Sequence, residues 1–557
     1  MSTPPIANWL ASWQQLLSEP SPFALHTDAH GLRAFAKAPV NLVEALQAGR
    51  VHGDRPFLLW QEQEYSFARF FEVADRLTAA FQQVLHVRPG QRVAIAMRNR
   101  PEWMLAFVAA AQAGAIPVPL NSWGLHDELL HAVRDAGAAV LVCDAPRYEL
   151  MAAGLAEDCQ VLLVDDEPAA SGVNGWNALL QRELAPMQLA QPQPDDPALI
   201  LYTSGTTSRA KGVLSRHHAV TQSLYSLEFQ GAFAGMSSPE RIKPIIASGF
   251  APSALLAFPL FHVSGLYSQF LNALRVGRRL VILYKWDVDE ALRIIREQRC
   301  TQFNGAPTMM QQLLSHPGFG STESLFSLGL GGGAASAALL DGLLKIKPMA
   351  MAGTGYGMTE SNGIGAAHSG EQFVNFPDSA GWPLPLVELV IGEHPSQPLP
   401  AGEAGPIWLR SSTLMDGYWQ LPQETAETLV DGWLHSGDVG YLDEHGMLYI
   451  TDRIKDIIIR GGENISALEV EHNAVEHPDV LEAAVFALPD EQFGECVAMV
   501  ARVNGSHVTP EDLQDFLQRR IAGYKVPVQI WLTNQPLQRN ATGKLQKPLI
   551  RQAFAGI

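Results

Sequence analysis

The sequence predicts an α/β fold whose sheets are mostly parallel. Short apolar runs alternate with helix-compatible stretches through the first half of the chain, the pattern of strand–helix layers. The chain has 557 residues, 47% of them hydrophobic and 17% charged. That composition is globular, and the length is enough for several cores.

The elements follow in order. The start, MSTPPIANWLASWQQLL, has no basic segment leading into an apolar core, so it does not read as a secretory signal. Trp9, Leu10, Trp13 and Leu16 line one face of a predicted docking helix. Asn99 caps the next helix, with Pro101 and Glu102 in its first turn and Gly114 at its end. Residues 115–120 form a strand, 125–136 a helix, and 138–143 and 161–164 two more strands. The apolar run 104–120 is interrupted by Gln112, Gly114, Pro117 and Pro119, which suits it poorly to a membrane span. A linker, APMQLAQPQPDD, occupies 185–196. Residues 199–202 read as a strand, 217–227 as a helix and 235–243 as a surface loop.

The net charge of −18 at pH 7 argues against a nucleic-acid or anionic-membrane surface, and it requires a locally basic site for any bound polyphosphate. Cys143, Cys159, Cys300 and Cys496 form no C-x-x-C pair and no cluster with histidine. They read as reduced, buried thiols of a cytoplasmic protein.

Several segments carry chemistry. YTSGTTSRAKGV, residues 202–213, sets the hydroxyls of Thr203, Ser204, Thr206, Thr207 and Ser208 around Gly205, with Lys211 just beyond. Backbone N–H groups, hydroxyls and a lysine can hold phosphates. The lysine precedes the last glycine, so this is not a Walker A loop. A Ser/Thr-rich surface loop has the same composition. In PLFHVSG, residues 259–265, His262 alone would read as a core residue. GLGGGA, residues 329–334, has G-x-G-x-x-G/A spacing, but Asp341 comes too early and Glu360 too late for a dinucleotide fingerprint. In TGYGMTE, residues 354–360, Tyr356 can stack on a base, Thr359 can donate to a phosphate and Glu360 can hold Mg2+. WLHSGD supplies Asp438, whose carboxylate can accept from two ribose hydroxyls. DRIKDIIIRGGENI, residues 452–465, carries Arg453, Lys455, an apolar run that starts a strand, and Gly461 with Gly462. In QRNATGK, residues 538–544, Arg539 and Lys544 begin a basic tail continued by Lys547 and Arg551. No acidic residue occurs from 539 to 557.

These segments, in this order from about residue 41 to 551, resemble the acyl-adenylate-forming superfamily of acyl-CoA synthetases, peptide-synthetase adenylation domains and luciferase-like enzymes. The phosphate loop departs from the family pattern at Ser208 (usually Gly) and Ala210 (usually Pro). Ala335 and Ala467 also stand where proline is usual.

The resemblance implies a large domain over 1–451, a hinge over 452–456 and a small, mobile α+β domain over 457–557. It implies ATP, Mg2+ and coenzyme A as cofactors. Thr203, Ser204, Gly205, Thr206, Thr207 and Lys211 would hold the β- and γ-phosphates. Gly332, Gly333, Ala334 and Tyr356 would lie about the adenine, Gly355 and Gly357 would also bind the nucleotide, Thr359 would stand at the α-phosphate and Asp438 at the ribose, with Arg453 as a second ribose or phosphate contact. Glu360 would hold Mg2+. His262 would line the carboxylate end of the acyl pocket, Lys455 would be the hinge, and Gly461 and Gly462 would border the pantetheine tunnel. Lys544 would serve adenylation, with Thr203, His262 and Glu360 completing the catalytic set.

The implied reaction is a two-step ligation of an acid to a thiol through acyl-AMP. Gly353, Thr354 and Gly355 are small and uncharged, and no cation awaits a second carboxylate. A medium- or long-chain fatty acid is therefore expected first, and an aryl or arylpropenoic acid second. Only residues 545–557 follow Lys544, so free coenzyme A is the expected acceptor, with a separate carrier protein as the alternative. The expected partners are small molecules, with no nucleic acid and no integral membrane segment, and the chain is expected as a monomer or homodimer. A nicotinamide oxidoreductase, a noncatalytic adenylate-binding protein and a luciferase-like oxygenase are the competing readings.

Overall fold

Two largely parallel sheets carry the first part of the chain. The computed structural model describes residues 5–165, 172–203, 210–331, 337–505, 507–540 and 543–556. One sheet has five parallel strands, with Arg92–Ala96 between Ile116–Pro119 and Ala138–Cys143, and Gln160–Leu163 and Val173–Gly175 beyond. The other has nine. Its parallel centre includes Ser253–Leu256, Gln302–Gly305, Ser327–Leu330 and Met351–Tyr356. Antiparallel strands flank it, Gln63–Ser66 at one edge and Ala366–Ser369 with Trp382–Pro383 at the other.

The helix Pro101–Gln112 is buried at every residue but Glu102. A helix apolar all round belongs in a core or a membrane, and this one joins the core that also holds the helix Phe67–Gln83. No described helix is long and apolar enough to cross a membrane.

Three expectations need correction. Asn99 is not the cap of Pro101–Gln112; Arg100 is, without a side-chain cap bond. Asn99 is buried instead, donating from Nδ2 to the Phe258 carbonyl (2.8 Å) and accepting at Oδ1 from the Leu260 N–H (3.0 Å). A tertiary partner has outcompeted the local one. Residues 235–243 are helical, lying in His217–Ser237 and Pro239–Ala247. Arg241 anchors the second helix on Glu371 and the carbonyls of Pro348 and Ala350. In the N-terminal helix Ile6–Leu17, Trp9 is buried and Trp13 meets Phe229, Phe233 and Trp382 edge-on, but Leu10 is 44% exposed. One helical step of about 100° carries it off the docking face.

Antiparallel sheets complete the large domain. Pro197–Tyr202, Gly212–Arg216 and Gly417–Tyr418 make three strands, and the serine- and threonine-rich segment joins the first two. A five-stranded sheet is built about Trp433–Leu442, whose partner Leu448–Arg453 ends it. The chain then passes through the 3-10 turn Ile454–Asp456 into a separate five-stranded sheet, beginning with Ile458–Arg460 and Glu463–Ile465 and centred on Val480–Asp490 and Gly494–Val503. That sheet has its own apolar core around Ile458, Val470, Val485 and Met499.

All four cysteines are free and buried. Burial pushes the Cys159 thiol up to about 11 and the Cys300 thiol up to about 12. Cys143 and Cys496 are raised for the same reason.

Candidate active site

The parallel strands Gln302–Gly305, Ser327–Leu330 and Met351–Tyr356 end together, and in open α/β sheets ligands bind beyond such carboxyl ends. Tyr356 closes the last of these strands. Its hydroxyl donates to Asp438 Oδ2 (2.9 Å), while Arg453 Nε lies 3.2 Å from Asp438 Oδ1. Asp438 and Arg453 face each other across adjacent strands, so the pair is fixed by register. Asp438 is 5% exposed and also accepts no help from its own N–H, which donates to Ser436 Oγ. A buried carboxylate between a phenol and a guanidinium suits the binding of neighbouring hydroxyls.

Lys544 comes to this cluster from the other sheet. The turn that carries it is tied by Lys544 N–H to Asn540 Oδ1 (2.9 Å), Asn540 N–H to the Lys544 carbonyl (2.9 Å), and Arg539 Nη1 to the Gly543 carbonyl (2.6 Å). Gly543 has φ +81°, and a Cβ there would lie 3.1 Å from Ala306 Cβ, just past the strand Gln302–Gly305. Only glycine permits that approach without strain. Burial, then the neighbouring Arg453, pulls the Lys544 ammonium down to about 8, partly offset by Asp438. Two other tail cations have partners of their own. Lys547 pairs with buried Glu471 (2.8 Å) and Arg539 lies 3.5 Å from Glu482.

The turn after Tyr356 is built around glycines. A Cβ at Gly357 would meet the Gly363 carbonyl at 2.4 Å. Thr359 and Glu360 open the 3-10 turn Thr359–Ser361, and Asn362 ends it in the left-handed region at φ +54°. Asn362 is 1% exposed. Its Oδ1 accepts from Ser215 (2.9 Å) and Tyr267 (2.5 Å), its Nδ2 donates to the Thr413 carbonyl (2.8 Å), and its carbonyl accepts from Ser223 (2.7 Å). A buried amide bonded to several elements rigidifies what it joins. Here it joins the Glu360 turn to the π-helix Leu266–Leu271 that follows the His262 segment.

His262 precedes the helical turn Val263–Gly265, and Val263 lies 3.2 Å from where a Gly363 Cβ would be. Burial holds its imidazole down to about 4, so it is neutral at pH 7. It can donate a hydrogen bond there without supplying a charge.

Glu360 Oε1 accepts from the Tyr418 hydroxyl (2.8 Å), and the Glu360 carbonyl accepts from Met415 N–H (2.8 Å). Lys211 Nζ lies over the Tyr418 ring, 4.7 Å from its centroid. Thr203 N–H donates to the Lys211 carbonyl (2.9 Å) and Lys211 N–H to Thr203 Oγ1 (3.3 Å). Ser204, Gly205, Thr206, Thr207 and Ser208 lie outside the described residues, as do Gly332, Gly333, Ala334 and Ala335. Among the described residues no group of three or more His, Cys, Asp or Glu side chains could hold a metal. A lone carboxylate with one oxygen already bonded fits Mg2+, which takes most of its ligands from water and phosphate.

Lys455 lies in the turn Ile454–Asp456 between the two sheets, away from both cores. Gly461 (φ +61°) and Gly462 (φ +90°) make the exposed hairpin turn between Ile458–Arg460 and Glu463–Ile465, where two successive positive φ angles are wanted.

A lysine delivered by one sheet to the strand ends of another is the arrangement of a two-domain adenylate-forming enzyme. Comparison with known proteins gives the same class. The AMP-binding enzyme family profile matches residues 46–419, and that of the AMP-binding enzyme C-terminal domain matches 469–544. The chain therefore belongs to the AMP-binding enzyme family, in the carboxylate–CoA ligase branch of the acyl-adenylate-forming superfamily. It is 34% identical to a feruloyl-CoA synthase of Amycolatopsis sp., over 84% of this chain and 90% of that one. It is 31% identical to a fatty acid–[acyl-carrier-protein] ligase of Streptomyces coeruleorubidus, over 90% and 94%. The structure of o-succinylbenzoate CoA synthetase from Bacillus subtilis with ATP and magnesium matches with a TM-score of 0.76 at 28% identity, over 91% of this chain and 98% of that one. The chain is thus an AMP-forming carboxylate–CoA ligase that uses ATP, Mg2+ and coenzyme A.

Tyr418 and Asn362 were missed by sequence reasoning. Neither stands in a segment whose composition signals a site. A lone aromatic in a two-residue strand carries no pattern, and a polar residue after a glutamate reads as a turn. Glu471 and Glu482, which claim Lys547 and Arg539, were equally invisible because they lie far away in sequence.

Proposed function

We propose that this enzyme activates an aryl or arylpropenoic monocarboxylic acid as its acyl-AMP and transfers the acyl group to coenzyme A. The observation that carries the chemistry is the meeting of Lys544 with Asp438 and Arg453 across the two sheets. The aryl reading draws on the 34% identity with feruloyl-CoA synthase. A medium- or long-chain fatty acid is the second reading, favoured by the 31% identity with a fatty-acid ligase, whose carrier-protein acceptor also keeps that alternative thiol in view. Gly353 and Gly355 are consistent with either apolar body. A Cβ at Gly353 would lie 2.6 Å from Ser369 Cβ, its partner on the adjacent strand.

In the first step a carboxylate oxygen bonds to the α-phosphorus of ATP and the bond to pyrophosphate breaks. The acid is already ionised at pH 7, so neutral His262 need only orient it. Lys544 stabilises charge at the α-phosphate, and Thr203 with Lys211 holds the departing phosphates. Asp438, with Tyr356 and Arg453, holds the ribose. Mg2+, when bound, would be held by Glu360 and would neutralise phosphate charge. In the second step the thiol gives up its proton to solvent as its sulfur bonds to the acyl carbon, and the bond from that carbon to the phosphate oxygen breaks so that AMP leaves. Residues 452–456 act as the hinge that exchanges the Lys544 turn for the Gly461–Gly462 turn, with 1–451 and 457–557 as the bodies that move.

Pyrophosphate release and AMP formation across ferulate, coumarate, benzoate and fatty acids of graded length, with and without coenzyme A, tests the proposal. Best turnover on a fatty acid would replace the aryl reading. Pyrophosphate release without thioester on added coenzyme A would move the acceptor to a carrier protein. Separately, Glu360→Gln is expected to raise the Mg2+ needed for half-maximal adenylation on the order of 10–100-fold. An unchanged Mg2+ titration would assign Glu360 to structure.

A further inference from the structure

We propose that Tyr418 is a positioning residue for adenylation, holding Glu360 through its hydroxyl and Lys211 through its ring so that neither charge pairs with the other. The inference rests on the reading of Glu360 as the metal-side carboxylate and Lys211 as a phosphate-side cation. Tyr418 donates to Glu360 Oε1 at 2.8 Å, and the Lys211 ammonium sits 4.7 Å from its ring centroid. No ion pair between Lys211 and Glu360 occurs among the described residues; a phenol stands between them.

The arrangement is built in by the backbone. Tyr418 faces Val213 across the antiparallel pair, and Trp419 N–H donates to the Gly212 carbonyl (2.6 Å), so Lys211 enters the strand beside the ring. The same segment binds the Glu360 main chain through Met415 N–H. Tyr418 is itself seated by its N–H on Thr425 Oγ1 (2.9 Å), and no Cβ fits at Gly417, which would meet Thr425 Cγ2 at 2.7 Å.

A direct lysine–glutamate pair would have to be broken before a metal ion and phosphates could bind. A phenol donor leaves the second carboxylate oxygen open, and a ring face holds an ammonium without consuming its three hydrogen-bond donors. Tyr418 thus keeps both charges oriented and available.

The test compares Tyr418→Phe and Tyr418→Leu with the native chain. Binding of a nonhydrolysable ATP analogue is measured by calorimetry across a Mg2+ titration, alongside thermal unfolding without ligand. For Tyr418→Phe, losing a hydrogen bond to a charged group should raise the Mg2+ required for nucleotide binding about tenfold. Unliganded Tm and thioester formation from supplied acyl-AMP should hold. Tyr418→Leu, which lets Lys211 reach Glu360, should weaken nucleotide binding even at saturating Mg2+. A native Mg2+ titration in Tyr418→Phe overturns the proposal, as does an equal loss in both half-reactions, which would make Tyr418 merely structural. If Glu360→Gln shifts the titration and Tyr418→Phe does not, this inference alone fails. If neither shifts it, the metal reading of Glu360 fails as well.

Discussion

Lys544→Ala is expected to slow acyl-adenylate formation about 10²–10³-fold, the usual cost of removing one preorganised charge from a transition state. Thioester formation from purified acyl-AMP should stay near the native rate. On the proposed hinge rotation the difference arises because the Lys544 turn packs closely on Ala306 at Gly543, an approach that the rotated small domain would no longer make. The same residue sets a pH dependence. Burial brings its ammonium down to about 8, so it carries its proton below that pH and loses it above. The kcat/KM for ATP, which reports the free enzyme, should therefore fall as pH rises through about 8, and the thioester half-reaction should not follow. A pyrophosphate burst assay and a coenzyme A consumption assay read the two steps separately. Equal loss in both, or a flat profile between pH 7 and 9, would remove Lys544 from this role.

Lys455→Pro is expected to do the reverse: adenylation largely survives and thioester formation collapses by a comparable factor. The chain leaves one sheet at Arg453 and enters the next at Ile458, and between them Lys455 sits in a single 3-10 turn closed by Ile457 N–H on the Arg453 carbonyl (3.1 Å). Proline fixes φ near about −65° and so forbids a large change there. Rotation must also release Ser466 Oγ from the Thr451 carbonyl (2.8 Å) and Leu468 N–H from Asp452 Oδ2 (3.3 Å). Glu444→Pro is the control. Glu444 occupies the second position of the turn Asp443–Gly446, where proline is favoured, and should not separate the two steps. Native thioester rates in Lys455→Pro would mean that the pivot lies elsewhere.

What the sequence made legible was mostly local. Apolar runs located three of the five strands of the parallel sheet, Ile116–Pro119, Ala138–Cys143 and Gln160–Leu163, to within a residue or so, because these are buried and read as continuous apolar runs, whereas Arg92–Ala96 and the half-buried Val173–Gly175 were not found. The site motifs were legible because each is short and chemically dense. The misplaced features have tertiary causes. Asn99 has the right side chain for a cap, but the carbonyl of Phe258 and the N–H of Leu260 bind it more fully. The helix Pro239–Ala247 contains an internal Pro244 and is tied down by Arg241, which bonds Glu371 and the carbonyls of Pro348 and Ala350 far along the chain. The basic tail looked like one electrostatic feature, yet Lys544 stands near Asp438 and Arg453 while Lys547 pairs with Glu471 and Arg539 lies beside Glu482. Pairings between residues far apart in sequence leave no periodicity to read.

The four buried thiols take on a meaning beyond packing once the intermediate is considered. An acyl-adenylate is a reactive mixed anhydride, and any thiolate near it would be acylated in place of the intended acceptor. Cys143, Cys159, Cys300 and Cys496 are all withdrawn into cores and held protonated at neutral pH. The nucleophile the mixed anhydride meets is then the one that arrives from solution, and the protein protects itself from its own product by having no competent sulfur to offer.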